Sequence, residues 1–348
     1  MPKGFWEKLP KPFFVLAPLA NVTDAAFRRV IAKYGKPHVM FTEFVSADGL
    51  ARGNKEVLMR DLVYTEHERP IVAQFFSSTP EHMRAAAKLA AELGFDGIDI
   101  NMGCPDKSVE KQGAGAAHIK NPKLAQEIIL AAKEGAAQAF PRTALGNSDF
   151  QGRSLAPIPV SVKTRLGYNK NELETWLPAL LETDLAAITI HARTRKEMSK
   201  VDAHWEEVKR AVEIRDASGK DTLIIGNGDV GNLEEARRRI EETGCDGVMI
   251  GRGIFGNPYL FSNSAEFENR SDPETVKKIL TIMLEHTKLF EELLGDIKSF
   301  ALMKKHYKAY VNGFDGAKEL RMQLMEAKDY AEVATITNEF LNQFDISN

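Results

Sequence analysis

Residues 98–115 read IDINMGCPDKSVEKQGAG. This stretch changes from an apolar strand to a polar segment, and the same change recurs along the chain. A run of strand-forming residues ends in Asn-Met-Gly-Cys-Pro and gives way to a polar, glycine-rich loop with two lysines. Elsewhere, short apolar runs alternate with amphipathic stretches such as residues 80–93, 122–137 and 233–242. Continuous apolar strands that are each followed by a helix are typical of a parallel sheet covered by helices.

Eight strands are predicted, at residues 13–19, 39–45, 71–76, 97–103, 158–165, 186–192, 222–228 and 247–251. Eight strand–helix units over roughly 245 residues match an α/β fold of the (β/α)8 TIM-barrel type, which is typically ~250 residues long. A doubly wound open sheet is the alternative, but it usually carries fewer strands and often a glycine-rich turn after the first one. Because no GxGxxG follows the first strand, the sequence favours a TIM barrel over residues 1–262.

Two segments depart from this alternation. Residues 138–157 (QAFPRTALGNSDFQGRSLAP) are polar, contain Pro, Gly and Ser, and predict an insertion loop before the fifth strand. From residue 272 onward the strand signals end, and helical patterns occupy residues 273–294, 299–311, 317–327 and 330–340. The sequence therefore predicts a C-terminal all-helical domain over residues 272–348.

The overall composition limits the classes of protein to consider. The net charge of −3 over 348 residues does not indicate a nucleic-acid binder, so any such binding must come from a local basic patch. The only two cysteines, Cys104 and Cys245, have the spacing of neither a disulfide framework nor a zinc site. The N-terminus resembles neither a signal peptide nor a membrane span. We expect a cytoplasmic protein with no bound metal and no membrane contact.

Polar residues and glycines concentrate where the predicted strands end, which is where a barrel places its chemistry. These candidates are Pro18, Gln74, Asn101, Cys104, Lys163, Arg165, His191, Arg193, Asn227, Gly228, Asp229, Gly251 and Arg252. Cys104 stands between Gly103 and Pro105. A thiol with an unperturbed pKa of roughly 8.5 is mostly protonated near neutrality, so it could donate a proton as well as act as a nucleophile. An inert core cysteine is the alternative.

The loops after strands seven and eight predict a phosphate site. They read IIGNGDV and MIGRGIFGNP, and their glycines allow backbone N–H groups to approach a phosphate closely. Lys163 lies on an otherwise apolar strand and would point into the barrel mouth, where it could form a Schiff base or place a positive charge beside a cofactor. Gln74 could donate to and accept from a flat heterocycle. His191 would lie beside them, unless it is a hydrogen-bonded core residue.

With these residues located, the chain resembles the flavin-dependent dihydrouridine synthases. The matching blocks occur in the family's order and read LAPLANVTDAAFR, VAQFF, DGIDINMGCP with KQGAGAA, VSVKTRLG, ITIHARTR, IIGNGDV and CDGVMIGRGIFGNPYLF. HYKAYVNGFDGAKELR in the tail resembles the family's RNA-binding helical domain. The NMGCP block and this tail motif are the most specific, because GNGD and GRG also occur in other flavin barrels.

The resemblance implies an FMN enzyme, re-reduced by NADPH, that reduces the C5–C6 double bond of a uridine in folded RNA such as tRNA. Cys104 would protonate C5 after hydride reaches C6, Asn101 would bind the uracil, and Arg193 would assist with the substrate. The implied FMN ligands are Gln74, Lys163, His191, Asn227, Gly228, Asp229, Gly251 and Arg252, with Pro18 lining the pocket. The target base would have to leave its stack to reach this pocket. We expect a monomer.

The helical tail adds a basic patch. Seven Lys or Arg and three Asp or Glu lie between Lys298 and Lys328, a local excess of positive charge in a chain whose net charge is −3. Such an excess is a plausible phosphate footprint, although a solvated helix face has a similar composition. The predicted RNA-binding residues are Lys304, Lys305, Lys308 and Arg321.

Three other functions remain open from the residues. A flavin barrel that acts on a free pyrimidine, as the dihydroorotate and dihydropyrimidine dehydrogenases do, would share the phosphate loops and a cysteine but would not need the basic tail. A Schiff-base lyase would use Lys163 without a flavin. A non-catalytic RNA-binding protein could use the same scaffold, but Cys104, Lys163 and His191 together argue against a decayed enzyme.

Overall fold

The computed structural model describes residues 3–53, 55–138, 157–262 and 269–347. Apart from its two end residues, the predicted insertion at residues 138–157 lies outside these described residues. None of the helices in the described part of the chain combines the length and the apolar character needed to span a membrane.

A parallel sheet forms the centre of the molecule. Its strands are β1 (Phe13–Leu16), β2 (Met40–Phe41), β3 (Val45–Ser46), β4 (Ile71–Phe76), β5 (Gly97–Met102), β6 (Val160–Arg165), β7 (Ala187–His191), β8 (Leu223–Asn227) and β9 (Gly247–Ile250). They pair in parallel in the order β1-β9-β8-β7-β6-β5-β4-β2, and β3 also pairs with β4. The Leu16 N–H donates to the Val39 carbonyl at 3.1 Å, which brings the first strand to the second and closes the barrel. The predicted TIM barrel is confirmed.

Helices alternate with these strands and continue beyond them. Around the barrel lie α1 (Ala25–Tyr34), α2 (Ala47–Arg52), α3 (Lys55–Arg60), α4 (Pro80–Glu92), α5 (Lys107–Lys111), α6 (Pro122–Gln138), α7 (Leu173–Leu181), α8 (Trp205–Ala217) and α9 (Leu233–Thr243). The tail contains α10 (Pro273–Leu294), α11 (Lys304–Tyr310), α12 (Ala317–Glu326) and α13 (Tyr330–Ser347). The predicted all-helical C-terminal region is confirmed.

The second predicted strand is not continuous, which corrects the expected strand at residues 39–45. It is split into β2 and β3. Between them, a side chain replaces the backbone as the acceptor of a hydrogen bond from β4. The Gln74 N–H donates to the Thr42 hydroxyl at 3.1 Å. The next residue, Glu43, turns its carboxylate toward the tail helices, where the Lys298 ammonium lies 2.5 Å away. At the interruption, Thr42 therefore bonds to the sheet and Glu43 to the tail.

The period-two alternation of the strands determines which side chains reach the barrel interior. Phe13, Val15 and Met249 belong to one buried apolar cluster inside the barrel. Residues next to them in the strands, such as Phe14 and Val248, belong to a second cluster beneath the surrounding helices. Nearer the carboxyl ends of the strands the inward positions become polar, and this change creates the site described below.

The tail helices share a hydrophobic cluster with one barrel helix. Ala26 and Val30 of α1 pack into the cluster that α10, α11 and α12 form. Ion pairs surround this contact, with Lys298 Nζ 2.8 Å from Asp61 Oδ1 in addition to its contact with Glu43. Arg60 likewise reaches Asp296 at 2.8 Å. Barrel and tail therefore meet in an apolar contact with balanced charges at its edge.

Two buried histidines lie in this contact. The rings of His286 and His306 are 4.6 Å apart, and each ring also contacts Phe27 of α1. Burial lowers the pKa of His286 to about 3 and lowers the pKa of His306 well below its ordinary value. Both imidazoles are therefore neutral at physiological pH and act as core residues.

Candidate active site

The carboxyl ends of the strands surround a pocket of about 340 Å³. Among the residues that line it are Pro18, Asn101, Cys104, Lys163, His191, Arg193, Asn227, Gly228, Asp229, Gly251 and Arg252, all of which the sequence singled out. Gln74 is fully buried and does not line the pocket, although its amide is joined to Asn101 by a hydrogen bond. The structure thus brings the strand-end candidates together in one site.

Cys104 is half-buried at one wall of the pocket, and Asn101 fixes its backbone. The Asn101 side-chain oxygen accepts hydrogen bonds from the N–H groups of Gly103 at 3.2 Å and Cys104 at 2.9 Å. Burial is the largest influence on the thiol and raises the pKa of Cys104. The thiol is therefore neutral near pH 7, the state required of a proton donor.

Gly115 explains why the loop after Cys104 contains glycines. Its φ of +62° lies in the left-handed region, where side chains with a Cβ are disfavoured. A Cβ at this position would lie 2.8 Å from the Cys104 carbonyl oxygen and 3.3 Å from the Cys104 Cβ. The next N–H, that of Ala116, donates to the same carbonyl at 3.0 Å. The returning loop therefore packs directly against the cysteine.

A buried polar network lies beneath this wall. Gln74 donates to Asp99 at 2.7 Å and accepts from the Asn101 amide at 3.1 Å. The Ser161 hydroxyl donates to the other Asp99 oxygen at 2.6 Å. Burial raises the pKa of Asp99 to about 6, although these hydrogen bonds oppose the shift. The network fixes the Asn101 amide and, through it, the Cys104 backbone.

Lys163 lies beside Asn101 in the register of β5 and β6, and its side chain reaches the pocket. Its ammonium donates to the Asn227 side-chain oxygen at 3.2 Å. Burial, followed by the positive charge of Arg165, lowers the pKa of Lys163 to about 8. No carboxylate of the described residues lies within ion-pair distance of this ammonium, so its charge is available to a ligand.

His191, Arg193 and Asp229 form a second connected group in the pocket, at the ends of β7 and β8. The Arg193 guanidinium donates to His191 Nε2 at 3.2 Å, so that nitrogen accepts and the imidazole is neutral. Burial and then Lys163 lower the pKa of His191, which agrees with the neutral form. Asp229 forms an ion pair with Arg193 and a second with Arg252 at 2.9 Å. One carboxylate of the first glycine loop thus orients Arg193, which follows β7, and Arg252 of the second glycine loop.

The charge of the pocket is predominantly positive. Four cationic side chains and one carboxylate line it: Lys163, Arg165, Arg193, Arg252 and Asp229. Such a concentration of positive charge in a partly desolvated cleft favours an anionic ligand. This donor set fits a phosphate-bearing, electron-rich cofactor such as FMN.

The whole chain matches known proteins of one family. Residues 15–345 match the family described as Dihydrouridine synthase (Dus). A probable tRNA-dihydrouridine synthase of Staphylococcus aureus is 40% identical over 349 residues, which cover 99% of this chain and 98% of that protein. A probable tRNA-dihydrouridine synthase 2 of Bacillus subtilis is 39% identical over 347 residues, with the same shares covered. The chain belongs to the dihydrouridine synthase family.

This membership confirms the resemblance found in the sequence motifs, and with it the prediction of an oxidoreductase that forms dihydrouridine. Solved structures agree on the fold at low identity. A 2-naphthoyl-CoA reductase complex has a TM-score of 0.50 and 11% identity, covering 72% of this chain and 49% of that one. A histamine dehydrogenase from Rhizobium sp. 4-9 has a TM-score of 0.50 and 12% identity, covering 79% and 48%. The likeness to these two proteins concerns the fold alone.

Arg165 and Phe44 are pocket residues to which the sequence assigned no role. Arg165 lines the pocket, and burial lowers its pKa to about 10. Its guanidinium donates to the Gly103 carbonyl at 2.8 Å, next to Cys104. Arg165 follows Lys163 by two positions on one strand, so the period-two pattern already indicated it. Phe44 also lines the pocket. It lies in the gap between β2 and β3, where no sequence pattern indicates the direction of its side chain.

The predicted RNA-binding residues lie on α11 and α12 of the tail. Lys304 and Lys308 are one helical turn apart on α11, and their side chains form no ion pair among the described residues. Lys305 instead donates to the Asn21 carbonyl at 2.9 Å, and Arg321 donates to the Val311 carbonyl at 3.1 Å. Among the described residues, Lys308 is therefore exposed and Lys304 partly buried, both without an ion pair, whereas Lys305 and Arg321 are held in contacts within the chain.

Proposed function

We propose that this chain reduces the C5–C6 double bond of specific uridines in tRNA, with FMN as its cofactor and NADPH as the reductant. The observation that carries the proposal is the position of Cys104, a neutral thiol at the wall of a positively charged pocket. A cysteine that stays protonated beside cationic groups is suited to give up a proton to a carbon that becomes basic when hydride adds next to it.

The residues present fit FMN. Asn227, Gly228, Asp229, Gly251 and Arg252 belong to the two glycine loops and would surround its phosphate, where backbone N–H groups and a guanidinium favour an anion. Lys163 would place its charge beside the electron-rich ring system. His191 and Gln74 would bind or support that ring system, and Pro18 would line the pocket. When bound, FMN supplies the hydride that adds to C6.

Cys104 completes the reduction from its own side of the base. Its thiol proton passes to C5 as hydride adds to C6, so the double bond becomes a single bond and a thiolate remains. The thiolate then takes a proton from solvent before the next turnover. Asn101 orients Cys104 through its backbone contacts, and one amide N–H remains for the uracil. Arg193 would contact the nucleotide.

The tail would bind the RNA that presents this base. Lys304 and Lys308 are available for phosphates on α11, with Lys305 and Arg321 beside them. Residues 1–262 would form the FMN-binding catalytic domain and residues 272–348 the RNA-binding domain. We assign the protein to the cytoplasm, because its substrate and reductant are found there. We expect it to act as a monomer. A folded tRNA already loosened at the target site lowers the cost of extruding the base.

The direct test uses the purified full-length protein. The flavin it retains is identified by its absorption spectrum and mass, and the protein is then incubated with NADPH and unmodified tRNA. We expect bound FMN and a uridine whose mass increases by two hydrogen atoms. Free uridine, orotate and uracil serve as alternative substrates, and reduction of these in preference to tRNA would point to a free-pyrimidine enzyme. A colourless protein that takes up no FMN would overturn the proposal.

A further inference from the structure

Arg270 joins the barrel to the tail helices through backbone carbonyls on both sides. Its guanidinium donates to the Gly256 carbonyl at 2.6 Å, in the loop that follows β9. It also donates to the carbonyls of Tyr310 at 2.9 Å and Asn312 at 3.2 Å, at the end of α11. Burial lowers the pKa of Arg270, and no carboxylate of the described residues forms an ion pair with it. With backbone carbonyls as its partners, the guanidinium of Arg270 joins the two segments through its planar, forked set of N–H donors.

The loop at residues 251–256 extends from the pocket to α11. Gly251 and Arg252, at one end, line the pocket. At the other end Gly256 has a φ of +72°, and a Cβ there would lie 2.1 Å from the Ala309 carbonyl oxygen. The ring of Phe255 is stacked on the ring of His306 with centroids 5.9 Å apart. The tail helices thus support one end of a loop whose other end belongs to the active site.

We infer that Arg270 is a positioning residue, which holds the phosphate-binding loop against α11 and so makes cofactor affinity depend on the docking of the tail. This inference rests on the proposed function, in which Gly251 and Arg252 bind the FMN phosphate. Because α11 also carries Lys304 and Lys308, the same contact connects the proposed RNA surface to the cofactor loop. Any coupling between the two sites is reciprocal, so the factor by which RNA changes the affinity for FMN is also the factor by which FMN changes the affinity for RNA.

Arg270→Met in the full-length protein removes the guanidinium and keeps most of the apolar stem. Arg60→Met is the matched control, because Arg60 also connects the barrel to the tail, through the Leu293 carbonyl at 3.1 Å and Asp296 at 2.8 Å. FMN is titrated into flavin-free protein, and its fluorescence quenching gives the dissociation constant. We expect a dissociation constant about tenfold higher for Arg270→Met and an unchanged one for Arg60→Met.

Hydrogen exchange of the amides at residues 251–256 in flavin-free protein provides a readout that needs no cofactor. We expect faster exchange in Arg270→Met and wild-type exchange in Arg60→Met. Wild-type exchange in Arg270→Met, or an equal increase in both variants, overturns the inference. If wild-type protein binds no FMN but the exchange difference appears, the positioning role stands and the proposed function fails.

Arg270→Lys covers the case in which the methionine variant does not fold. Lysine keeps the charge but cannot bridge two carbonyl groups with a planar fork. We expect its FMN dissociation constant to be several-fold higher than that of the wild type, and the amides at residues 251–256 to exchange faster than in the wild type. A lysine variant equal to the wild type in both measurements would show that the fork is dispensable and would overturn the inference.

Discussion

One largely buried lysine lies where the barrel meets the tail and another lies in the strand-end pocket, and their charges are balanced differently. Where the barrel meets the tail, Lys298 contacts two carboxylates, those of Glu43 and Asp61. In the strand-end pocket, Lys163 and Arg165 have only neutral oxygen partners among the described residues. The charge of Lys298 is therefore balanced within the chain, whereas Lys163 and Arg165 leave the pocket with positive charge to spare.

This difference separates a structural region from a functional one. Burying a cation without a counter-charge is costly, and a group in that position responds by shifting its pKa. The lowered pKa of Lys163, about 8, and the raised pKa of Lys298 show the two outcomes. For Lys298 burial acts in the opposite direction, and the charges of Glu43 and Asp61 outweigh it. Strongly perturbed groups in a cleft are typical of functional sites.

The largest effect is expected at Cys104. Cys104→Ala removes the proton donor and should lower dihydrouridine formation about 10²–10⁴-fold, the usual contribution of a general acid. Bound FMN should remain, because the thiol contributes no charge to the pocket. Dihydrouridine is measured in tRNA by mass spectrometry and FMN by its absorbance.

Cys245→Ala is the control for the cysteine prediction. Cys245 is buried outside the pocket, and its thiol donates to the Gly247 carbonyl at 3.3 Å. The Cys245→Ala variant should modify tRNA at nearly the wild-type rate. Wild-type activity in Cys104→Ala would show that another group supplies the proton.

The second effect concerns Lys163 and pH. As pH rises through about 8 the ammonium loses its proton, so the turnover rate should fall because positive charge beside the cofactor is lost. Lys163→Met should lower the rate about 10²-fold at pH 7 and remove this alkaline decrease. Lys163→Arg keeps its charge and should move the decrease to higher pH. Turnover is measured from pH 6 to about 10, and identical profiles for wild type and Lys163→Met would exclude Lys163 as the titrating group.

The third effect tests the region between barrel and tail. In the unfolded chain His286 takes up a proton near its ordinary pKa of 6.5, but in the folded protein only near 3. The unfolded state therefore binds more protons between these values, and stability is lost as pH falls below 6.5. At pH 5 the loss from His286 alone is about 2 kcal/mol relative to pH 7.

Urea unfolding at the two pH values measures this loss. His286→Leu should reduce the pH dependence by about 2 kcal/mol. An unchanged pH dependence in His286→Leu would mean that this histidine is not neutral in the folded protein.

The smallest effect is expected on the tail surface. Lys304→Glu with Lys308→Glu should weaken tRNA binding about tenfold and reduce the salt dependence of binding, because two phosphate contacts are lost. Lys209→Glu, on the exposed side of α8, is the control. Binding is measured by filter retention at several salt concentrations. An unchanged affinity in the double variant would place the RNA surface elsewhere.

Much of the pocket could be predicted because strand chemistry is local. Asn101, Lys163 and His191 occupy inward positions near the ends of apolar strands, so a period of two and a barrel suffice to bring them together. Cys104 follows from the Gly-Cys-Pro frame at the end of its strand. These predictions needed no knowledge of side-chain contacts.

The contacts between distant segments could not be predicted in this way. The helical pattern of the tail treats Lys304, Lys305 and Lys308 alike, but the loop after β1 takes up Lys305 through the Asn21 carbonyl. Gln74 was expected at the ligand, but the structure places it below the pocket, where its amide donates to Asp99, its register partner on the neighbouring strand. Partners separated by many residues determined each of these outcomes.

The close packing of Gly115 against Cys104 has an evolutionary consequence. The glycine is required only while the backbone at position 104 keeps its present course, since any Cβ at position 115 would meet the Cys104 carbonyl. The requirement therefore falls on the course of the backbone and not on the side chain at position 104. In homologous chains that keep this course of the loop, position 115 should stay glycine even where another residue replaces the cysteine.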